Sequence, residues 1–449
     1  MTRRSHARLI GFGAVVVIVH ALLLFLVIPE VSGHLAPSYN QNRFTDGYDQ
    51  LAANLVAGNG YRFYPETART LMREPGYPLL LSGLLLAGGG FAVVKFTNMI
   101  LALLTAWLTM VLARRLAPDS RAPLSFLILA PPLLFLFHPA TLIAESRGGV
   151  EIVFAFLCTL FLLTVFEALE TNRWWNFAVS GIVLGITVSF RSTPMLFPLF
   201  LFPYCLLFER HRVSALAVSR NLAVMVIGML IVLSPWTIRN YSLTGSLIPT
   251  ASVLGVSAQA GQYIGTHLFE GRPWWLLDRE AARERDQLAL RLGYQFKEGG
   301  EGYYQTFLKS QDEVSFSHYL FSAVKAEYLR SPLLFVRCVG QNVFNFWFAG
   351  KTWTATALNA VVQLPYLILA FIGVVRGLKS TKARFVALAL WFIAYIMAIH
   401  APILAQARYS VPLIPLLSVL ATIGLITTKG RERMGMDVPA TAADEVITS

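Results

Sequence analysis

Charge is scarce in this sequence. Only 14% of its 449 residues are charged and 55% are hydrophobic, whereas a soluble domain carries about 25% charged residues. That shortage weighs against a water-soluble fold. Cysteine is scarcer still. Cys158, Cys205 and Cys338 lie far apart in apolar sequence without metal-type spacing, so neither a disulfide framework nor a zinc site is supported. They read as small core residues. Repeats, low-complexity tracts and period-two alternation are also missing, and the lack of alternation removes a transmembrane β-barrel. Acidic residues are the rarer sign, 25 against 37 basic ones, for a net charge of +12. In a soluble protein that excess would point to nucleic acid. Here the Lys and Arg residues fall in short clusters between apolar runs, a mark of membrane topology, and no nucleic-acid partner is expected.

What the chain has is a succession of apolar runs of about twenty residues from Leu9 to Thr427, each long enough to cross a bilayer. With the barrel excluded they are helices, so the fold class is all-α, a polytopic membrane bundle. Ten spans are expected: Leu9 to Ile28, Phe91 to Leu112, Leu124 to Pro139, Gly148 to Leu169, Phe177 to Phe190, Pro194 to Phe208, Leu222 to Pro235, Leu358 to Val375, Val386 to Ile399 and Tyr409 to Thr427. Arg3, Arg4 and Arg8 precede the first run and no small-residue cleavage motif follows it, so it reads as an uncleaved span. The basic clusters around Arg114, Arg173, Arg210, Arg376 and Lys429 then all fall on the cytoplasmic side. Two shorter apolar stretches, Gly76 to Ala87 and Leu333 to Phe348, are expected in the outer interface, which leaves a total of about 10 to 13 membrane helices according to how they are counted. The chain divides into a membrane module, 1–430, and a disordered polar tail, 431–449. Two outward segments, 30–75 and 236–331, carry soluble-type sequence.

The first outward segment holds the strongest local pattern. From Asp46 to Gly60 it reads as a short helix, with Leu51, Leu55 and Val56 as the apolar stripe and Gly58 and Gly60 as the stop. Asp46 at its start has the ordinary reading of an N-cap, and the sharper one of a general base beside the mouth of a bundle. Asp49 is the neighbouring acid.

Taken together, the Asp-x-Tyr-x-x-Leu-Ala-x-Asn-Leu-x-x-Gly-x-Gly run from Asp46 and Pro75-Gly76-Tyr77-Pro78 resemble motifs of a known family. So do Glu145 at the end of a span, Arg191-x-x-Pro194, Pro235-Trp236-Thr237-x-Arg239-Asn240-Tyr241 and Arg408-Tyr409-x-x-Pro412. The chain resembles the GT-C membrane glycosyltransferases, in particular the bacterial group related to protein O-mannosyltransferases and to the aminoarabinose transferases. The likeness implies a GT-C fold with outer-face juxtamembrane helices. It also implies inverting transfer of a sugar from a polyprenyl-phosphate donor to a glycan, lipid or protein acceptor. The setting implied is the outer face of a bacterial cytoplasmic (inner) membrane.

On this resemblance Asp46 is the expected base and Glu145 a second catalytic acid. Arg73, then Arg191, Arg239 and Arg408, are expected at the donor phosphate, and Tyr48, Asp49 and Tyr77 near the acceptor. Relatives that bind a divalent metal ion leave Glu74 and His267 as candidate ligands, although the Glu74-Pro75 pair departs from the basic-Pro pair common in the family. The ordinary readings stand beside these: interfacial anchoring for Arg239 and Arg408, a helix-dipole acid for Glu145, and interface markers for Trp174-Trp175 and Trp274-Trp275, the second of which could instead stack on a saccharide. Two other functions remain open. One is a polymerase or ligase with a lipid-linked oligosaccharide donor. The other is a lipid-linked glycan transporter, against which the chain shows no paired, broken half-repeats.

Overall fold

The computed structural model describes residues 3–35, 46–116, 124–209, 214–267, 270, 272–297, 306–350 and 352–426. The tail expected from 431 onward lies outside them. The architecture is helical throughout, apart from a two-residue strand pair, Phe296–Lys297 against Thr306–Phe307, that the all-α reading did not anticipate.

Each expected span coincides with a helix or a helix pair. Among the described residues seven helices are long and apolar enough to cross a bilayer: Gly11–Val31, Phe91–Leu116, Glu151–Thr171, Ala215–Thr244, Trp353–Leu378, Ala383–His400 and Ala407–Leu425. The third expected span is a pair, Ile128–Leu136 and Pro139–Glu145, bent by 56° where His138 and Pro139 interrupt the backbone ladder. Trp174–Phe190 and Thr193–Phe208 are shorter apolar helices, broken from each other at Arg191 and Ser192. Large side chains such as Leu199, Ile231, Val361 and Phe371 stand exposed around the bundle. Hydrocarbon, not water, is the solvent that suits such a surface. The chain is a multi-pass membrane protein.

Between apolar helices in lipid the hydrophobic effect supplies little attraction, so close packing has to do the work. Glycine makes it possible here. A Cβ on Gly181 would sit 2.1 Å from the carbonyl oxygen of Met225, and one on Gly228 would sit 2.8 Å from that of Ala178. These contacts lock Trp174–Phe190 onto Ala215–Thr244. Gly373 and Gly424 do the same between Trp353–Leu378 and the last helix, each lying against a backbone carbonyl of the other.

Over one end of the bundle lies a polar layer built from both outward segments. Leu51, Tyr61, Phe63 and Met72 of the first share a core with Val256, Ala289, Phe307 and Phe316 of the second. A buried carboxylate stitches the two together: Glu313 accepts from Thr70 Oγ1 at 2.7 Å, from the Leu71 amide at 2.8 Å and from Ser252 Oγ at 2.6 Å. The 30-residue helix Ala215–Thr244 reaches into this layer, its Trp236 indole donating to the Thr250 carbonyl at 2.9 Å. The helices Gly76–Leu86 and Pro332–Phe348 are the two short stretches expected at the interface. The second is anchored through Asn342, which donates to the Ala401 carbonyl at 2.9 Å and accepts from the Ala405 amide at 3.3 Å.

Gly181→Leu is expected to be among the most damaging single changes in the bundle. Its side chain must displace the Met225 backbone, at a cost of about 3 kcal/mol or more. Thermal unfolding of the detergent-solubilised protein should show a lower midpoint, whereas Leu at the open position Gly83 should change it little.

Candidate active site

Asp46 and Gly47 both adopt left-handed backbone, with φ of +65° and +71°. Gly47 tolerates this without strain, and a Cβ there would also strike the Phe63 ring at 2.8 Å. For Asp46 the conformation is uncommon. The turn makes Gly47 the N-cap of the helix Tyr48–Val56 and leaves that helix without a side-chain cap. The N-cap reading of Asp46 is therefore corrected. Its carboxylate turns instead toward two arginines distant in sequence. Arg408 donates to it through both terminal nitrogens, at 2.8 and 3.2 Å, and Arg73 Nη2 lies 3.3 Å from Oδ1. Arg73 Nε also donates to the Asp46 carbonyl at 3.3 Å. Burial pushes the Asp46 carboxyl up, but Arg408, Arg73 and the more distant Arg191 outweigh it and hold it well below the usual carboxylate range.

The group lines a cavity of about 1710 Å³. Glu151 faces the same space, with Oε1 at 3.5 Å from Arg408 Nη1, so Arg408 bridges two carboxylates. Arg191, at the break between two short helices, lies flat against Tyr409, with its guanidinium carbon 4.1 Å from the ring centroid. Among the described residues no carboxylate pairs with it, and its buried Nη1 has no hydrogen-bond partner. Glu74 fixes the segment beside it by accepting from the Ser192 amide at 3.0 Å and from Ser192 Oγ at 2.8 Å. Gly76 seats the same turn against Phe190, where a Cβ would meet the ring at 2.6 Å. Part of the cavity wall is apolar, with Phe321, Val324, Leu329, Phe335, Leu358 and Val362. Leu329 is 73% exposed.

Residues 75–238 match the family model described as dolichyl-phosphate-mannose-protein mannosyltransferase. No curated protein sequence matches the chain. Among solved structures, the Archaeoglobus fulgidus oligosaccharyltransferase in the apo form aligns with a TM-score of 0.52 at 16% identity, over 91% of this chain and 50% of that one. The fold is that of the GT-C glycosyltransferases. Two further matches are weaker. The archaeal oligosaccharyltransferase AglB from Archaeoglobus fulgidus, in complex with an inhibitory peptide and a dolichol-phosphate, gives a TM-score of 0.47 at 13% identity over 84% of this chain and 45% of that one. ArnT from Cupriavidus metallidurans bound to undecaprenyl phosphate gives 0.39 at 14% identity over 92% of this chain and 77% of that one. The chain spans about half the length of the oligosaccharyltransferases it matches.

Within this cavity the structure gathers Asp46, Tyr48, Asp49, Arg73, Glu74, Arg191 and Arg408. Four expected residues lie elsewhere. Glu145 is fully buried against His20 of the first span, 2.9 Å away, and does not reach the cavity; Glu151, the first residue of the next span, faces it instead. Arg239 is spent on the fold, packed against Trp236 and Tyr61 and donating to the Thr70 carbonyl at 2.9 Å. Tyr77 is buried beneath Tyr48, the ring centroids 5.0 Å apart. His267 sits away from the cavity wall, over the Tyr263 ring, with Nδ1 2.8 Å from the Tyr263 carbonyl oxygen, while Glu74 is engaged by Ser192. Glu74 and His267 therefore do not fit a shared metal site, and no group of three His, Cys, Asp or Glu suited to a metal occurs among the described residues.

Asp46→Asn should lower stability by about 1–3 kcal/mol, because two largely buried guanidiniums lose a charged acceptor. The sign with pH follows from the direction of the shift. The folded carboxyl lies below its unfolded value of 3.8, so its contribution is complete above that value and is lost only as pH falls through the folded one. The difference in melting temperature between wild type and Asp46→Asn should accordingly stay constant from about pH 7 to about pH 5.

Proposed function

We propose that the chain is an inverting glycosyltransferase. It moves a sugar from a polyprenyl-phosphate donor to an acceptor hydroxyl on a lipid, glycan or protein, with Asp46 as the general base. The observation that carries this reading is a cavity lined by both charged and apolar groups. Its wall carries a carboxylate among three arginines and also exposed apolar side chains, Leu329 of the outer layer and Leu358 of a span. A polyprenyl phosphate has both kinds of group and cannot leave the bilayer. The reading sets the enzyme in a bacterial cytoplasmic membrane with this cavity on the periplasmic or exterior side.

The chemistry asks each group for one thing. The acceptor oxygen attacks the anomeric carbon from the face opposite the phosphate, its proton passing to Asp46. The carbon–oxygen bond to phosphate breaks with the electron pair staying on the leaving lipid phosphate. Charge grows on that phosphate during the step, and a guanidinium already oriented and lacking a carboxylate stabilises it. Arg191 meets that description better than Arg73, which is occupied by Asp46. Arg408 links the two halves. A donor phosphate drawing on Arg408 adds negative charge near Asp46 and weakens the hold on its carboxylate, so Asp46 becomes more basic when donor is bound.

The test is transfer from a panel of radiolabelled polyprenyl-phosphate sugars by the full chain in lipid, with membrane extract as acceptor. Wild type should transfer label, and Asp46→Asn should lose a factor of about 10²–10⁴. Folded wild type that transfers from none of the donors overturns the reading. Arg191→Ala should weaken undecaprenyl phosphate binding about tenfold or more, the loss expected for one charged hydrogen-bonded contact, with Arg73→Ala smaller in effect. The reverse order would return Arg73 to the phosphate.

A further inference from the structure

The second outward segment adds a wall to the cavity that the mechanism above leaves unused. The helix Trp274–Arg291 turns Trp274, Asp278 and Arg285 into the space, at spacings of four and seven that put all three on one face. Asp278 is only 8% exposed, yet among the described residues nothing donates a hydrogen bond to its carboxylate. Trp274 has the complementary deficit, a buried indole N–H without an acceptor. Arg285 is 2% exposed and is held in place by Gln259, its Nη1 donating to Oε1 at 2.9 Å. An acceptor and a neighbouring donor, both without partners on residues that line a cavity, mark a place where a polar ligand completes the hydrogen bonding.

We propose that this face of the helix Trp274–Arg291 is the subsite for the sugar carried by the donor lipid, with Asp278 accepting from its hydroxyls and the Trp274 indole donating to a ring substituent. The inference rests on the glycosyltransferase reading and adds to it the group that recognises the saccharide. Saccharide chemistry fits because a carboxylate accepts from two neighbouring hydroxyls at once, while an indole offers both a donor and an apolar ring face. Side chains four apart on a helix stand about 6 Å apart at Cβ, a distance on the scale of one sugar ring. The transferred sugar lies between the donor phosphate, which draws on Arg408, and the base Asp46, so a wall within reach of both suits it. Asp278 lies within electrostatic reach of both Arg408 and Asp46, and the sugar is the group bonded directly to the phosphate. Burial, offset in part by Arg285, pushes the Asp278 carboxyl up to about 6. It therefore reaches neutral pH largely ionised, as an acceptor only.

Binding of bare undecaprenyl phosphate is compared with binding of undecaprenyl phosphate bearing a hexose, an N-acetylhexosamine or a pentose, using the full chain in lipid nanodiscs. For wild type at least one sugar-bearing lipid should bind about tenfold more tightly than the bare phosphate, the gain expected for one or two hydrogen bonds to a charged group. Asp278→Asn should erase that increment and leave bare phosphate affinity unchanged. Trp274→Phe, which keeps the ring and removes the donor, should erase part of it. Affinity for bare phosphate reports in the same samples that each variant is folded. Failure of wild type to bind either lipid sinks the glycosyltransferase reading and this subsite with it. Wild type that binds bare phosphate but gains nothing from any sugar overturns the subsite alone, as do variants that keep the full increment. A loss confined to the apparent KM for acceptor would also overturn it, because the wall would then serve the other substrate.

Discussion

The ion pairs at Asp46 hold this protein's site together. Arg408 comes from the start of the last helix, Arg73 from the end of the first outward segment, and Asp46 from a left-handed turn at the head of that segment. No two of these lie on the same element. Bringing them together ties the first part of the chain to the last, and the polar layer to the bundle. Guanidiniums at the edge of a bilayer are costly unless paired. A carboxylate shared between two of them satisfies both and forgoes much of its own basicity. A site with this construction is strongly held without ligand, and any anion able to compete for Arg408 relaxes the hold on Asp46.

Everything else in the architecture serves to deliver those groups. Glycine contacts bring helix pairs to backbone distance, where lipid gives them no hydrophobic reason to associate. Helix breaks at His138–Pro139 and at Arg191–Ser192 turn polar backbone and side chains inward beside the cavity, the location where irregular backbone at membrane depth is tolerated. Glu313 binds the two outward segments into one layer, and the helix Trp274–Arg291 of the second lines the same cavity as Asp46.

The ten apolar segments were legible because each is a local property, a run of residues whose transfer from water to hydrocarbon needs no knowledge of neighbours. Asp46, Arg73, Arg191 and Arg408 were legible through the order of short motifs around them. Glu145 was misplaced for a physical reason: the bend at Pro139 carries it toward His20, and the next acidic residue, Glu151, takes the inward position. Arg239 was misjudged because its aromatic neighbours Trp236 and Tyr61, which absorb it, meet only in the folded layer. Asp278 and Trp274 gave a weaker signal, since a carboxylate and a tryptophan four apart on an amphipathic helix look like any exposed face.

By itself, then, the sequence determined the solvent, the helical class and the positions of the apolar segments, all of which depend on sums over neighbouring residues. Tertiary structure decided which charges pair. A carboxylate's partners, and so its basicity and its role, depend on distances between residues hundreds of positions apart, such as Asp46 and Arg408. Those distances come from how helices pack at their glycines and bend at their breaks, which no local pattern of residues records.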